Sequence, residues 1–304
     1  MTFVLVRKEI PMLFKLGLAI FLVAALPGAV AHAQDWEATR SARGWSRFDA
    51  TGSATFYDPA TRTLITWMQD AGVLGTVDLS KAEMVPERWV VDDDRIWIMA
   101  GSVMKQLNKA GQVQRTINLP AEVSDVDFLP PNGIAISYRT PAPFIERRDI
   151  KNGSEVWTYG KKPKKGEYTS RALHRILRND EMNLVLVSHE EMMATLLDGK
   201  KGDSLGQVVF TMGDAAPPRL TLGDKSRGAI TWWWSKGVAF SAVPSSGLPS
   251  LQKQGLLLAR LDFTASTVEF LPTGVTEEFQ LAGIVENRAV LVAPNGGLVF
   301  VPVK

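Results

Sequence analysis

The sequence predicts an all-β protein, a single β-propeller of about six four-stranded antiparallel blades. Three observations predict it. Short β-patterned runs alternate with turn residues from residue 50 to residue 304. No long stretch carries the 3.6-residue apolar period of an amphipathic helix. One pattern also returns every few tens of residues: strand, turn, strand, turn, then a third strand closing on Asp or Asn. Its landmarks are Val77-Asp78, Leu107-Asn108, Arg148-Asp149, Leu197-Asp198 and Leu261-Asp262, of which only the third lacks the apolar partner. A repeat of that period describes an array of small sheets.

Ahead of the repeats, Arg7, Lys8 and Lys15 precede the apolar run Leu16 to Leu26, followed by Pro27 and Ala31-His32-Ala33. Basic, apolar, then A-x-A is the order of a secretory signal peptide. The run is shorter than the roughly 20 residues of a spanning helix. The expectation is a cleaved signal peptide over residues 1–33 and a propeller domain over 34–304. The mature protein is then soluble, without a membrane span, and periplasmic or secreted. Cleavage removes three basic residues and one acid, Glu9, which takes the formal charge from +2 to zero. A neutral chain has no general attraction for nucleic acid or anionic membranes. The chain has no Cys, so it carries no disulfide, no thiolate metal site and no lipoprotein cysteine. Of its three His, only His174 and His189 survive cleavage. That scarcity disfavours zinc sites and His-based triads.

The first repeat is read over residues 53–86. In the second, Arg88 to Val91 is a strand, Asp92-Asp93-Asp94 a turn, and Arg95 to Met99 the next strand. Val103 to Leu107 follows, then the turn Asn108 to Gly111, then Val113 to Ile117. Four antiparallel strands in this length are the unit of a propeller blade. The third repeat runs through Val126 to Phe128, Pro130 to Gly133, Ile134 to Tyr138 and Phe144 to Arg148. It closes on Asp149-Ile150-Lys151-Asn152-Gly153-Ser154-Glu155-Val156-Trp157-Thr158-Tyr159. That closing segment resembles the repeat of quinoprotein-like propellers, where an Asp leads into a Gly turn and a Trp on the last strand packs between blades. The resemblance covers one blade well and the others in outline, and it implies the fold alone. A quinone-dependent dehydrogenase would need a longer chain, more blades and full sets of cofactor ligands.

The fourth repeat spans 171–213 and the fifth 229–274, with Ile230 to Trp234 as its first strand. The end, 279–303, offers only three strands. Its missing strand is expected from the N-terminal segment around Trp45 to Phe48, which closes the ring and leaves few free sheet edges. The count is six blades, or seven if the long fifth repeat hides one.

Strand alternation sorts the connections by face. Turns between first and second strands are short. The long connections, Gly160 to Ser170, Gly213 to Gly228 and Pro244 to Gln254, fall on one face, with Gly199 to Leu205 opposite. Loops on a rigid scaffold are where binding groups sit, so the long-loop face is the expected functional one. It carries Lys161, Lys162, Lys164 and Lys165 around Pro163, either a solvated loop or a loose anion site. It also carries His189-Glu190-Glu191, without HExxH spacing or a second His nearby. These seven are the candidate partner-binding residues.

The candidate polar ring of the central channel is Arg88, Asp125, Asp127, Arg171 and Glu278. Some propeller hydrolases hold calcium in such a place through Asp, Asn and Glu oxygens. The expectation here is salt bridges and water, with no cofactor. Trp232-Trp233-Trp234 alternates faces along a strand, and blade packing is preferred to sugar stacking for it. No G-x-S-x-G, P-loop or G-x-G-x-x-G occurs. The reading is therefore an exported, non-catalytic binding or scaffold protein for an envelope or extracellular partner. The alternative is a lactonase- or glycosidase-like propeller hydrolase with a channel metal near Asp125. A sugar-binding module using the tryptophan run is a third.

Overall fold

The structure is a computed structural model. It describes residues 46–48, 53–68, 72–92, 95–164, 166–169, 174–188, 191–220, 232–285, 287–294 and 297–303. The expected signal peptide, Asp93, Asp94, Lys165, Arg171, His189, Glu190, Ile230 and Thr231 lie outside the described residues.

Six antiparallel sheets follow one another along the chain. Blade 1 holds β1 (Ser46–Phe48), β2 (Ser53–Asp58), β3 (Thr63–Met68) and β4 (Gly72–Asp78). Blade 2 holds β5 (Arg88–Asp92), β6 (Arg95–Ala100), β7 (Val103–Leu107) and β8 (Val113–Asn118). Blade 3 holds β9 (Val123–Leu129), β10 (Gly133–Tyr138), β11 (Phe144–Asp149) and β12 (Glu155–Gly160). Blade 4 holds β13 (His174–Arg178), β14 (Leu184–Ser188), β15 (Met193–Leu197) and β16 (Ser204–Val209). Blade 5 holds β17 (Trp233–Ser235), β18 (Val238–Pro244), β19 (Leu256–Asp262) and β20 (Thr267–Pro272). Blade 6 holds β21 (Gln280–Val285), β22 (Arg288–Val292) and β23 (Leu298–Pro302), three strands among the described residues. First strands lie side by side around the ring: β5 on β9, β9 on β13, β13 on β17, β17 on β21, and β21 on β1. The protein is a six-bladed β-propeller, and the long fifth repeat hides no seventh blade among the described residues.

Burial follows the radial position of each strand. The inner β10 and β14 are buried at every residue, whereas the outermost β8 and β16 are exposed at nearly all. Inner strands are covered on both faces by neighbouring blades, so they read as apolar runs instead of alternating ones. Side chains of successive residues still enter different cores. Ile134 and Ile136 join a core that runs through blades 6, 1, 2 and 3, while Ala135 joins the core between blades 3 and 4. The tryptophan run behaves the same way. Trp232 and Trp234 pack between blades 4 and 5, and Trp233 packs between blades 5 and 6. The preference for blade packing over sugar stacking holds.

The recurring Asp or Asn has a mechanical role. Asp149 Oδ1 accepts the backbone N–H groups of Lys151 and Asn152 at 2.7 and 3.3 Å. Asp198 Oδ1 accepts those of Lys200 and Lys201 at 2.7 and 2.9 Å. Asp262 Oδ1 accepts those of Thr264 and Ala265 at 3.0 and 2.9 Å. Asn108 does the same for Ala110 and Gln112, both at 3.0 Å. Each side chain thereby builds the turn between a third and a fourth strand. Asp78 differs from expectation, since it closes β4, the fourth strand of its sheet, and binds Ser80 there.

These turns dock on the preceding blade. Trp97 Nε1 of blade 2 donates to the carbonyl of Ile150 at 2.7 Å, and Trp157 Nε1 of blade 3 donates to that of Gly199 at 3.3 Å. A Cβ on Gly202 would stand 2.6 Å from the Trp157 ring. Gly202 also holds φ of +79°, a region that other residues seldom adopt. Asp-x-x-x-Gly is thus the blade-to-blade latch, and Trp157 sits between blades as the resemblance implied.

The N-terminal strand meets the last blade in a different way from the one expected. Ser46 to Phe48 pairs with Phe56 to Ala54 of β2 in blade 1, and only abuts β21 of blade 6. Residues 49–52 are too short a connection to favour anything but the neighbouring strand. The N-terminal strand therefore joins the first blade to the last at the inner edge, and does not complete the sheet of β23.

Candidate functional site

Because strands alternate in direction, the ends of β12, β16 and β18, from which the long connections leave, lie on one face, together with the start of every first strand in blades 2 to 6. On this face Arg88 opens β5, Ser124 and Asp125 open β9, and His174 and Arg175 open β13. Arg139 directly follows β10. All six are buried.

Their arrangement is convergent. Arg88 Nη2 donates to the carbonyl of Ser124 at 3.2 Å from one side, and Arg175 Nη1 donates to the same oxygen from the other. Arg139 Nε donates to the carbonyl of Val123 at 3.2 Å and lies 3.9 Å from the half-exposed Glu122 carboxylate. Arg88 Nε stands 4.0 Å from Asp125 Oδ1. Three guanidinium groups thus surround the first three residues of β9, Val123, Ser124 and Asp125. Burial depresses the Arg88 guanidinium, Asp125 opposes that, and Arg139 adds to it. Arg175 is pushed down to about 9, first by burial, against the attraction of Asp125 and with the repulsion of Arg88 and Arg139.

Asp125 and Asp127 have backbone partners. Asp125 accepts the N–H of Val126 at 3.0 Å and that of Ile176 on β13 at 3.3 Å. Asp127 accepts the N–H of Phe128 at 2.7 Å and that of Arg178 at 3.0 Å. Ladder donors on the inner edge of a blade would otherwise lack acceptors. The two carboxylates supply them to β13 from the neighbouring strand, so a cation would compete with these amides.

The other sequence candidates are placed as follows. Lys161, Lys162 and Lys164 are exposed. Their loop is clasped by Lys164 N donating to Glu167 Oε2 at 2.9 Å, and Thr169 N donates to the carbonyl of Arg139 at 3.0 Å. The lysine loop is therefore fastened to the arginine cluster. Glu191 is exposed, and Ser188 Oγ lies 3.4 Å from its Oε2. Glu278 is exposed ahead of β21. Its neighbour Glu277 accepts from Ser245 Oγ at 3.0 Å and from Ser246 N and Oγ at 2.7 and 2.8 Å, which holds the loop between β18 and β19. Arg139 and Arg175 are the residues that sequence reasoning missed. Their signal was charged residues at matching ends of three successive inner strands. Among the described residues, no group of three or more His, Cys, Asp or Glu is placed to hold a metal.

No protein-family model and no curated protein matches the chain. Solved structures do match it in fold. A catalytically inactive virginiamycin B lyase from Staphylococcus aureus with quinupristin is 12% identical, with a TM-score of 0.56 over 87% of this chain and 82% of that one. The selenomethionine form of that lyase is 11% identical, with a TM-score of 0.53 over 85% and 80%. A chain of the Mitotic Checkpoint Complex is 10% identical, with a TM-score of 0.50 over 83% and 73%. At such identities the likeness shows the β-propeller fold alone.

Proposed function

We propose that this protein is an exported, non-catalytic binding protein whose long-loop face receives a protein or envelope component. The observation that carries the reading is the gathering on one face of the three long connections, the exposed lysines and the convergent arginines. The fold does not choose between binding and catalysis, since similar propellers include a lyase and a chain of a multiprotein complex. The residues do favour binding. Asp125 and Asp127 are engaged by backbone amides of their own and the neighbouring strand.

Export is tested by N-terminal sequencing of the mature protein, expected to begin at Gln34. The binding face is tested with photo-crosslinking groups at Lys161, Lys164 and Ser246, against the opposite face at Lys109 and Lys200. Partner adducts are expected from the first set alone and should disappear when Lys161, Lys162 and Lys164 are replaced by Glu. Adducts of equal yield from both faces would overturn the reading.

A further inference from the structure

We propose that Arg88, Arg139 and Arg175 form a site for a small oxyanion, phosphate or carboxylate, at the long-loop end of the inner strands β5, β9 and β13. Arg175 carries the argument. Its side chain is 0% exposed, and its Nε and Nη2 meet no hydrogen-bond partner among the described residues. A buried donor left unpaired is costly, and more so on a charged group. The second observation is charge. Three guanidinium groups gather at Asp125, which already accepts two backbone N–H groups, and at the rim carboxylate of Glu122. Among these five side chains three are cationic and two anionic. An oxyanion supplies what is missing, acceptor oxygens and negative charge, in the geometry that a guanidinium fork matches. The depressed basicity of Arg175 agrees, because a bound anion would relieve the repulsion of Arg88 and Arg139.

The same oxygens arrive either on a free ion or on an acidic group of a docked partner. Thermal unfolding of the purified mature protein separates these sources. Inorganic phosphate and acetate are titrated against sodium chloride at matched ionic strength. One of the two oxyanions is expected to raise Tm saturably, by about 5 °C at a hundredfold excess over Kd. Arg175→Met should abolish that rise while still unfolding cooperatively, and Arg175→Lys should retain part of it. In the crosslinking experiment above, the active anion should lower partner adducts only if the partner supplies the acidic group. Equal rises with chloride, or an undiminished rise in Arg175→Met, would overturn the site. Neither result touches the loop-face reading, which stands or falls on its own adducts.

Discussion

Arg88 and Arg175 come from blades on opposite sides of β9 and share one acceptor, the carbonyl oxygen of Ser124. Two buried guanidinium groups on one neutral oxygen make this an electrostatically costly point of the ring. It is therefore where substitution should stabilise the fold. Arg175→Met removes a buried charge and keeps an apolar stem. In anion-free buffer it should raise the unfolding free energy by about 1–2 kcal/mol, as buried charges replaced by apolar residues often do. Urea denaturation measures it, and a loss of stability would show that the charge is better compensated than the geometry implies.

The pH dependence of that gain has a fixed sign. Arg175 sits at about 9 in the fold, well below its ordinary value. Between those values the unfolded chain binds more protons, so the native protein gains stability as pH rises through the window. The advantage of Arg175→Met over the parent should therefore shrink above pH 9, as read from denaturation curves at pH 8 and 10.

Tyr138 predicts the opposite slope. Its hydroxyl donates to Glu146 Oε2 at 2.6 Å, and Arg148 Nε donates to the same oxygen at 2.8 Å. Burial first, then the Glu146 charge, hold the phenol well above its ordinary value of 10.0. The folded state keeps a proton that the unfolded chain loses, so stability falls as pH climbs past 10. Tyr138→Phe should flatten that alkaline loss. At pH 7 it should cost about 1–3 kcal/mol, because Glu146 loses a buried donor.

The latch glycines can be separated from ordinary turn glycines. Gly202→Ala drives a Cβ into the Trp157 ring at a φ of +79°. Its cost should be about 2–4 kcal/mol, combining overpacking with backbone strain. Gly166 has a φ of +83° with nothing within 4 Å of its Cβ position. Gly166→Ala should cost only about 1 kcal/mol. Similar costs for the two would mean that the indole contact contributes nothing.

Glu277 governs a loop more than the fold. Burial raises its pKa, but the N–H and hydroxyl of Ser246 and the hydroxyl of Ser245 outweigh that and hold it below its ordinary 4.5. The depressed carboxylate contributes stability above its unfolded pKa and loses it as pH falls through the folded value. Glu277→Gln should speed hydrogen exchange at Ser246 while moving global stability by less than about 1 kcal/mol, as expected at an exposed site.

The blades were legible because each element follows local rules. Val103 to Leu107, the Asn108 turn and Val113 to Ile117 are strands and a turn wherever they occur, and the structure places them so. The alternation that sends Trp232 and Trp233 into different cores was legible for the same reason. The N-terminal strand was misplaced because pairing depends on which edge lies nearby. The edge that the strand meets is that of β2, the next strand in sequence. Arg139 and Arg175 were invisible as a pair, being 36 residues apart in different repeats.

The sequence by itself determined the repeat, the antiparallel blades and the turn-building Asp or Asn, since all of these rest on contacts a few residues apart. The tertiary structure alone decided what stands next to what at the inner ends of β5, β9 and β13. Closing the ring set three arginines around Ser124 and Asp125, and turned Asp125 and Asp127 toward the backbone of the neighbouring blade. No local pattern encodes that convergence, because it arises from the angle at which successive blades meet.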